Sequence, residues 1–293
     1  MKPLPKLLVI VGPTASGKTD LAVRLVKKYD GELVAADSRT IYKGMDIGTA
    51  KSKAGKPHLI DVVRPDQSFT LTEFKAKALT AIRGIIRRGK LPILVGGTGL
   101  YVRAIIDNLQ IPNVPPHSRL RAEFEKKSAK ELHRLLTSMD PAAAERTGAH
   151  NKRRMIRALE VITLTGEKFS RSRVGKPLFD TLVLGLSVPR ATLYRRIDTR
   201  VDQMMRRGFF EEVVKLRKKL YSPDLPAMSG IGYGELNAHI DGKMTLGEAV
   251  QRMKFRTHQY ARRQMTWFRR DLRIRWVRNE REASRFVGSW LVE

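Results

Sequence analysis

Gly12-Pro13-Thr14-Ala15-Ser16-Gly17-Lys18-Thr19 follows a short apolar run, Leu7 to Val11, and leads directly into a helical period. A strand, a glycine-bounded loop and a helix start in that order form a P-loop. The glycines let backbone amides turn toward phosphate oxygens, Lys18 adds a point charge, and the Thr19 hydroxyl suits Mg²⁺. The motif implies phosphate binding and leaves open whether the phosphate belongs to a nucleotide. It also sets the fold, because such a loop needs a parallel α/β sheet to hold it.

The flanking sequence has that rhythm. Apolar runs at Leu7 to Val11, Leu33 to Ala36, Leu59 to Val63 and Leu91 to Val95 read as strands, with helical periods between them. Leu21, Ala22, Leu25 and Val26 share one helical face that stops at Asp30-Gly31. Thr70-Leu71-Thr72-Glu73 has capping-box spacing and opens a helix with Phe74, Ala78 and Ile82 inside. The stretch from Asn113 to Lys176 starts at Pro115-Pro116, shows no strand pattern and holds two or three amphipathic helices. Thr181 to Ser187 then reads as a returning strand. Helices follow at Ala191 to Met205, Phe209 to Leu220 and Leu246 to Arg270, and Ile274 and Trp276 mark an edge strand. The expected architecture is α/β, a P-loop NTPase-like core with a mostly parallel sheet plus an α-helical insertion domain. Residues 1–112 begin the core, 113–179 are the insertion, and 180–293 complete the core with basic helices.

Composition narrows the partners. The 293 residues are 42% apolar and 29% charged, enough for a real core. Lys and Arg number 57 against 29 Asp and Glu, a net charge of +28 that far exceeds what solubility requires and points to a polyanion. Within Asn113 to Lys176, fifteen Lys and Arg stand against seven Asp and Glu. Lys152-Arg153-Arg154 and Arg157 crowd one stretch. Arg262, Arg263, Arg269, Arg270, Arg273 and Arg275 crowd another, interleaved with Tyr260, Trp267, Phe268 and Trp276. Such interleaving serves phosphate contact and base stacking, while the aromatics equally fit core spacing. With no Cys, disulfide scaffolds, thiol catalysis and Cys-based zinc sites are excluded. No apolar run is long enough for a signal segment or a membrane span. A reducing cytoplasm, no membrane partner and a monomeric state are the expectations.

A hydrolase of nucleotides usually adds an apolar strand ending in an Asp for Mg²⁺. Leu59-Ile60-Asp61 is the candidate, whereas the better placed strand ends in Gly96-Gly97-Thr98-Gly99. Those glycines would bring backbone and the Thr98 hydroxyl close to a ligand at the carboxyl edge of the sheet. Asp37-Ser38 ends the second strand beside the P-loop; a carboxylate there supports a metal, takes a proton or caps a turn. On residues alone, a kinase-like phosphotransferase using Asp61 and a non-catalytic RNA-binding protein both stay open.

Taken in order, the motifs resemble the tRNA dimethylallyltransferases, the bacterial tRNA isopentenyltransferases. The matching pieces are GPTASGKT at 12–19, DSRTIY at 37–42, GMDIGTAK at 44–51, HLIDVV at 58–63 and LVGGTGLYVRA at 94–104. RRMIRALEV at 153–161, RVDQMMRRG at 200–208, GIGYGEL at 230–236 and QYARRQMTWFR at 259–269 continue the series. The resemblance implies transfer of a dimethylallyl group from dimethylallyl diphosphate to N6 of the adenosine 3′ of the tRNA anticodon, with Mg²⁺ assisting. It further implies that the P-loop, Gly12 to Thr19 with Arg200, cradles the donor's diphosphate rather than ATP and that Thr19 faces the metal. Asp37 falls at the family's general base and Thr98 at a hydroxyl near the reacting amine. Asp37, Ser38, Arg39, Thr40, Arg121, Arg153, Arg154, Met155, Ile156, Arg157, Ser229, Gly230, Ile231, Gly232, Tyr233 and Gly234 fall in stretches that touch the anticodon stem-loop, with the insertion as its clamp. Thr40 stands where the family commonly has Gln, and Gly234 where a longer polar residue is common.

Overall fold

A computed structural model describes residues 3–52, 54–112, 114–170 and 174–293. The chain divides into two compact units, Met1–Asn108 with Lys176–Glu293, and Leu109–Gly175. In chain order the first unit begins β1 (Lys6–Val11), α1 (Lys18–Lys28), β2 (Gly31–Ala35), α2 (Leu71–Arg87), β3 (Leu91–Gly96) and α3 (Gly99–Ile106). The second unit holds α4 (Ser118–Glu125), α5 (Ala129–Met139), α6 (Pro141–Thr147) and α7 (Lys152–Thr165). The first then resumes with β4 (Asp180–Leu186), α8 (Arg190–Arg206), α9 (Phe209–Lys218), α10 (Tyr233–Ile240), α11 (Leu246–Phe268), β5 (Ile274–Val277) and α12 (Glu280–Val292).

Among the described residues five strands pair in the order β2-β3-β1-β4-β5, every pair parallel. Parallel sheets need cover on both faces, which is why these strands are written as unbroken apolar runs. Leu7, Val9 and Val11 face Phe74, Ala78, Ile82 and Ile85 of α2 and Ile105 of α3. Their neighbours Leu8 and Ile10 face Leu21, Ala22 and Leu25 of α1 and Val287 and Trp290 of α12. The Thr70 box forms as the spacing predicts: its side chain accepts from Glu73 N while the Glu73 carboxylate accepts from Thr70 N at 2.7 Å. A third apolar cluster gathers Ile41, Met45, Val201, Phe209, Val213, Tyr233, Leu236 and Met253.

The run Leu59 to Val63 is not a strand. Leu59 and Asp61 take positive φ angles of 66° and 54°, which break an extended ladder. Only the isolated bridges Val34 to His58 and Tyr42 to Val63 remain. The segment is tied down by charge instead. Lys51, with its side chain 1% exposed, donates to Tyr42 O at 2.8 Å, Asp46 Oδ1 at 2.5 Å and Asp61 Oδ1 at 2.6 Å.

Among its described residues the second unit has four helices where the periodicity gave two or three. Caps divide them: Ser128 and Glu131 form a capping box, and Asp140 caps α6 ahead of Pro141. Leu132, Leu136, Met155, Ile156, Leu159 and Ile162 fill its interior. At the centre lies Glu160, fully buried, which accepts from Arg121 Nε and Nη2 at 2.7 and 2.8 Å, from Arg157 Nη1 at 2.6 Å and from His117 N at 2.8 Å. Burial alone would raise this carboxyl; the guanidinium and amide bonds outweigh it and hold it at about 2.

Candidate active site

The carboxyl ends of β1, β2 and β3 lie side by side and deliver the three loops that sequence singles out. From β1 comes the P-loop. Gly17 has φ 90°, a left-handed turn that suits glycine and aims the first amides of α1 outward. The Lys18, Thr19 and Asp20 amides have no intrahelical acceptor, as in any first helical turn. Ser16 is 2% exposed, and its Oγ has no partner among the described residues. A buried hydroxyl in that state, beside free amides, is suited to an anion's oxygens.

From β2 comes Asp37, whose Oδ1 accepts from Arg39 N at 2.8 Å. From β3 comes Thr98, whose Oγ1 accepts from Ser38 N at 3.1 Å. These two loops touch at van der Waals limit: a Cβ on Gly96 would stand 2.1 Å from Ala36 O. Thr98 thus orients the Asp37-Ser38 turn through a hydrogen bond. Arg39 is held by the carbonyls of Pro226 at 2.9 Å and Ala227 at 3.4 Å and by Ser229 Oγ at 3.1 Å, which links it to the Ser229–Gly234 segment.

Together with α8 and α11 the loops enclose a cavity of about 440 Å³. Thr14, Lys18, Thr19, Asp37, Ser38 and Arg200 give it a polar side; Ile197, Val201, Met204, Phe209 and Met253 give it an apolar one. Desolvation lowers the Lys18 ammonium to about 8, Asp37 pulling it back up and Arg200 pushing it further down. The three charges therefore share one electrostatic neighbourhood. Arg200 is lowered as well, by burial. Thr40 lines the same cavity, and its Oγ1 is buried without a partner among the described residues.

Asp61 does not line this cavity, and the buried Lys51 engages its Oδ1. The tRNA-contact candidates differ in where their side chains lie. Met155 and Ile156 are core residues of the second unit, and Arg121 and Arg157 are tied to Glu160. Tyr233 is 1% exposed, packs edge-on against Phe209 and donates to Glu212 Oε1 at 2.7 Å. Gly232 N donates to the buried Glu235. Arg153, Arg154, Ser229 and Gly234 are exposed, while Gly230 is buried and Ile231 half-buried.

Sequence reasoning missed the residues that brace the loops. Glu212, from the first turn of α9, accepts from the amides of Asp46, Ile47 and Gly48 at 2.8, 2.7 and 3.1 Å. Its place one turn into a helix looks like ordinary dipole compensation, so only the fold exposes the role. Gln264 of α11 bridges two loops: its Oε1 accepts from Thr14 N at 2.8 Å and its Nε2 donates to Gly97 O at 2.9 Å. Tyr260, one turn earlier on α11, stands beside Asp37 and within hydrogen-bond reach of Thr98; burial and then the Asp37 charge push its phenol up to about 12. The Arg263 guanidinium lies over that ring, 5.9 Å from its centre. Of the other aromatics, Phe268 is core and Trp267 is 40% exposed.

A parallel sheet with a P-loop at its centre and a carboxylate in place of a nucleotide hydrolase's metal acid defines a P-loop NTPase-like fold turned to group transfer. The family model described as IPP transferase matches residues 40–271. The tRNA dimethylallyltransferase of Roseiflexus sp. (strain RS-1) is 46% identical over 274 residues, 90% of each chain. That of Pelotomaculum thermopropionicum is 44% identical over 288 residues, 94% of this chain and 92% of its own. Among solved structures, the tRNA isopentenylpyrophosphate transferase of Bacillus halodurans superposes with TM-score 0.74 at 38% identity, covering 97% of this chain and 96% of its own. A eukaryotic dimethylallyltransferase acting on tRNA gives TM-score 0.77 at 30% identity over 90% of this chain and 69% of its own. The chain belongs to the tRNA dimethylallyltransferase family. No helix among the described residues is long and apolar enough to cross a membrane.

Proposed function

We infer that this protein transfers a dimethylallyl group from dimethylallyl diphosphate to N6 of the adenosine 3′ of the anticodon in tRNA, releasing diphosphate. The observation that carries the reading is the sharing of one cavity by Lys18 of the P-loop, Arg200 of α8 and a carboxylate, Asp37, that is not engaged by either in an ion pair. Diphosphate lies on the amides of Gly17 to Thr19 with Lys18 and Arg200, where departing charge is stabilised. The prenyl group lies against Ile197, Val201 and Met204. An adenine amine is a weak nucleophile because its lone pair is delocalised into the ring. Asp37 takes its proton as the new C–N bond forms. Thr98 keeps the Asp37-Ser38 turn in place, and Tyr260, neutral at physiological pH, offers a hydroxyl beside the same carboxylate.

The hard oxygen donors at the site fit Mg²⁺, an ion that keeps waters and takes few protein ligands beside phosphate oxygens. Among the described residues no group of three or more acids and histidines could form an all-protein cage. Thr19 is the residue that would hold the ion, which would neutralise charge on the leaving diphosphate.

The tRNA follows from the surplus charge. Arg153 and Arg154 of α7 and Arg262, Arg263, Arg269 and Arg270 around the end of α11 are exposed and carry no ion pair among the described residues. The acceptor adenosine leaves its stack to enter the cavity, so the target is an unpaired loop base. A cytoplasmic, monomeric enzyme completes the proposal.

The test is incubation with Mg²⁺, dimethylallyl diphosphate and unmodified tRNA, followed by mass spectrometry of the nucleosides. Dimethylallyl adenosine beside the anticodon is expected. Phosphoryl transfer from ATP in its place, with no prenylated nucleoside, would return the kinase reading.

A further inference from the structure

We propose that Gln264 sets the number of phosphates the site accepts: it closes the Thr14 end of the P-loop, so that the loop takes a terminal diphosphate and rejects a triphosphate. The proposal rests on the diphosphate reading above and adds a cause for it.

In an open P-loop, amides along the whole turn are free to meet phosphate oxygens. Here the Thr14 amide is already donated to Gln264 Oε1 at 2.8 Å, and the other end of the same side chain is fixed by Gly97 O at 2.9 Å. Gln264 is 6% exposed, so its amide group meets little water. Both polar ends are satisfied, and displacing the side chain would leave Thr14 N–H and Gly97 O buried and unpaired. No slack remains around it either. A Cβ on Gly97 would fall 2.3 Å from Gln264 Nε2 and 3.6 Å from Gly12 O. A phosphoryl group growing toward Thr14 and Gly97 meets a filled, neutral wall.

Asp37 guards the other polar direction, since its charge is felt at Lys18 and would oppose a third phosphoryl group. What stays open is the side of the cavity bounded by Lys18 and Thr19 in the first turn of α1 and, across from them, by the apolar surface of α8. That arrangement suits two phosphates with an apolar substituent.

The experiment is calorimetric titration with inorganic diphosphate and inorganic triphosphate, each with Mg²⁺. Wild-type protein is compared with Gln264→Ala and Gln264→Asn. Asn is one methylene shorter and cannot span both contacts. Wild type should prefer diphosphate by about tenfold or more, and in either folded variant the ratio should fall to about threefold or less, with triphosphate gaining. Melting curves identify which variants are folded. An unchanged ratio in a folded variant, with both anions weakened alike, would make Gln264 a structural tie and overturn the proposal. Equal wild-type affinity for the two anions would do the same. Failure of wild type to bind diphosphate at all is a separate result, and it strikes the prenyl-transfer reading instead.

Discussion

Replacing Lys18 with Met should make the ligand-free protein more stable while abolishing its capacity to hold the prenyl donor. Desolvation in the loop brings the Lys18 ammonium from its ordinary 10.5 to about 8 despite the attraction of Asp37. At about 1.4 kcal/mol per pKa unit, keeping that charge in the empty site at neutral pH costs about 3 kcal/mol of folding stability. The sign follows from proton counts. Between pH 8 and 10.5 the unfolded chain holds the proton that the folded chain has shed, so the cost is fully present below pH 8 and is relieved as pH rises. Met matches the four-atom stem of the side chain and lacks the ammonium. Urea unfolding of ligand-free protein at pH 7 should therefore show Lys18→Met gaining up to about 3 kcal/mol, and the gain should shrink by pH 9.5. The same ionisation governs the wild-type site. Only the ammonium form attracts diphosphate, so affinity should fall by about tenfold from pH 7 to pH 9, in a range where the donor's own phosphates are already ionised. Calorimetry in buffers of different ionisation enthalpy should detect net proton uptake near pH 8. A variant no more stable than wild type at pH 7, or a donor affinity flat from pH 7 to 9, would refute the reasoning.

Asp37→Asn keeps the acceptor for Arg39 N but cannot take a proton, so single-turnover transfer with saturating substrates should drop by roughly 10² to 10⁴ while both still bind. A rate within a few-fold of wild type would remove Asp37 from the chemistry. Gly96→Ala places a methyl group against the Ala36 carbonyl and should destabilise by about 1 to 3 kcal/mol while disturbing the Asp37 turn; an unshifted melting temperature would count against that close contact. Arg153→Ala with Arg154→Ala should weaken tRNA binding, each lost phosphate contact lowering the log-log salt slope by about 0.7 to 0.9, with donor affinity unchanged. Wild-type slope and affinity would leave these arginines as a solvated face.

Much of the fold was legible because its strands are covered on both faces. Leu7 to Val11 and Leu91 to Val95 are continuous apolar runs, and a doubly covered parallel strand has little other way to be written. Leu59 to Val63 has the same composition, yet the positive φ at Leu59 and Asp61 and the three contacts of the nearby Lys51 are backbone and charge detail that apolar content does not encode. The site divides similarly. Lys18, Asp37 and Thr98 stand on short loops whose spacing from a strand end is local information. Gln264 lies 250 residues from Thr14, and a Gln in a basic helix gives no sign of which amide it will meet. For Met155, Ile156, Arg121 and Arg157 a motif places the stretch, but helical phase and the buried Glu160 decide how each side chain is engaged.

Helix α11 acts as a ruler. Met253, Arg256, Tyr260 and Arg263, spaced by three and four residues, and Gln264, one turn beyond Tyr260, reach the cavity wall or its bracing from one uninterrupted helix. An insertion or deletion of a single residue anywhere in that span would turn everything beyond it by about 100° and slide it by about 1.5 Å. Tyr260 would then leave Asp37, or Gln264 would leave Thr14, while the helix itself stayed intact. The segment can thus drift in composition on its outward face but not in length, whereas the exposed tip Ser222 to Asp224, which carries no cavity contact, is free to vary in both. A fluorophore, affinity tag or split point intended to leave activity alone belongs in that loop, and random insertion libraries should return active clones there and none between Met253 and Gln264.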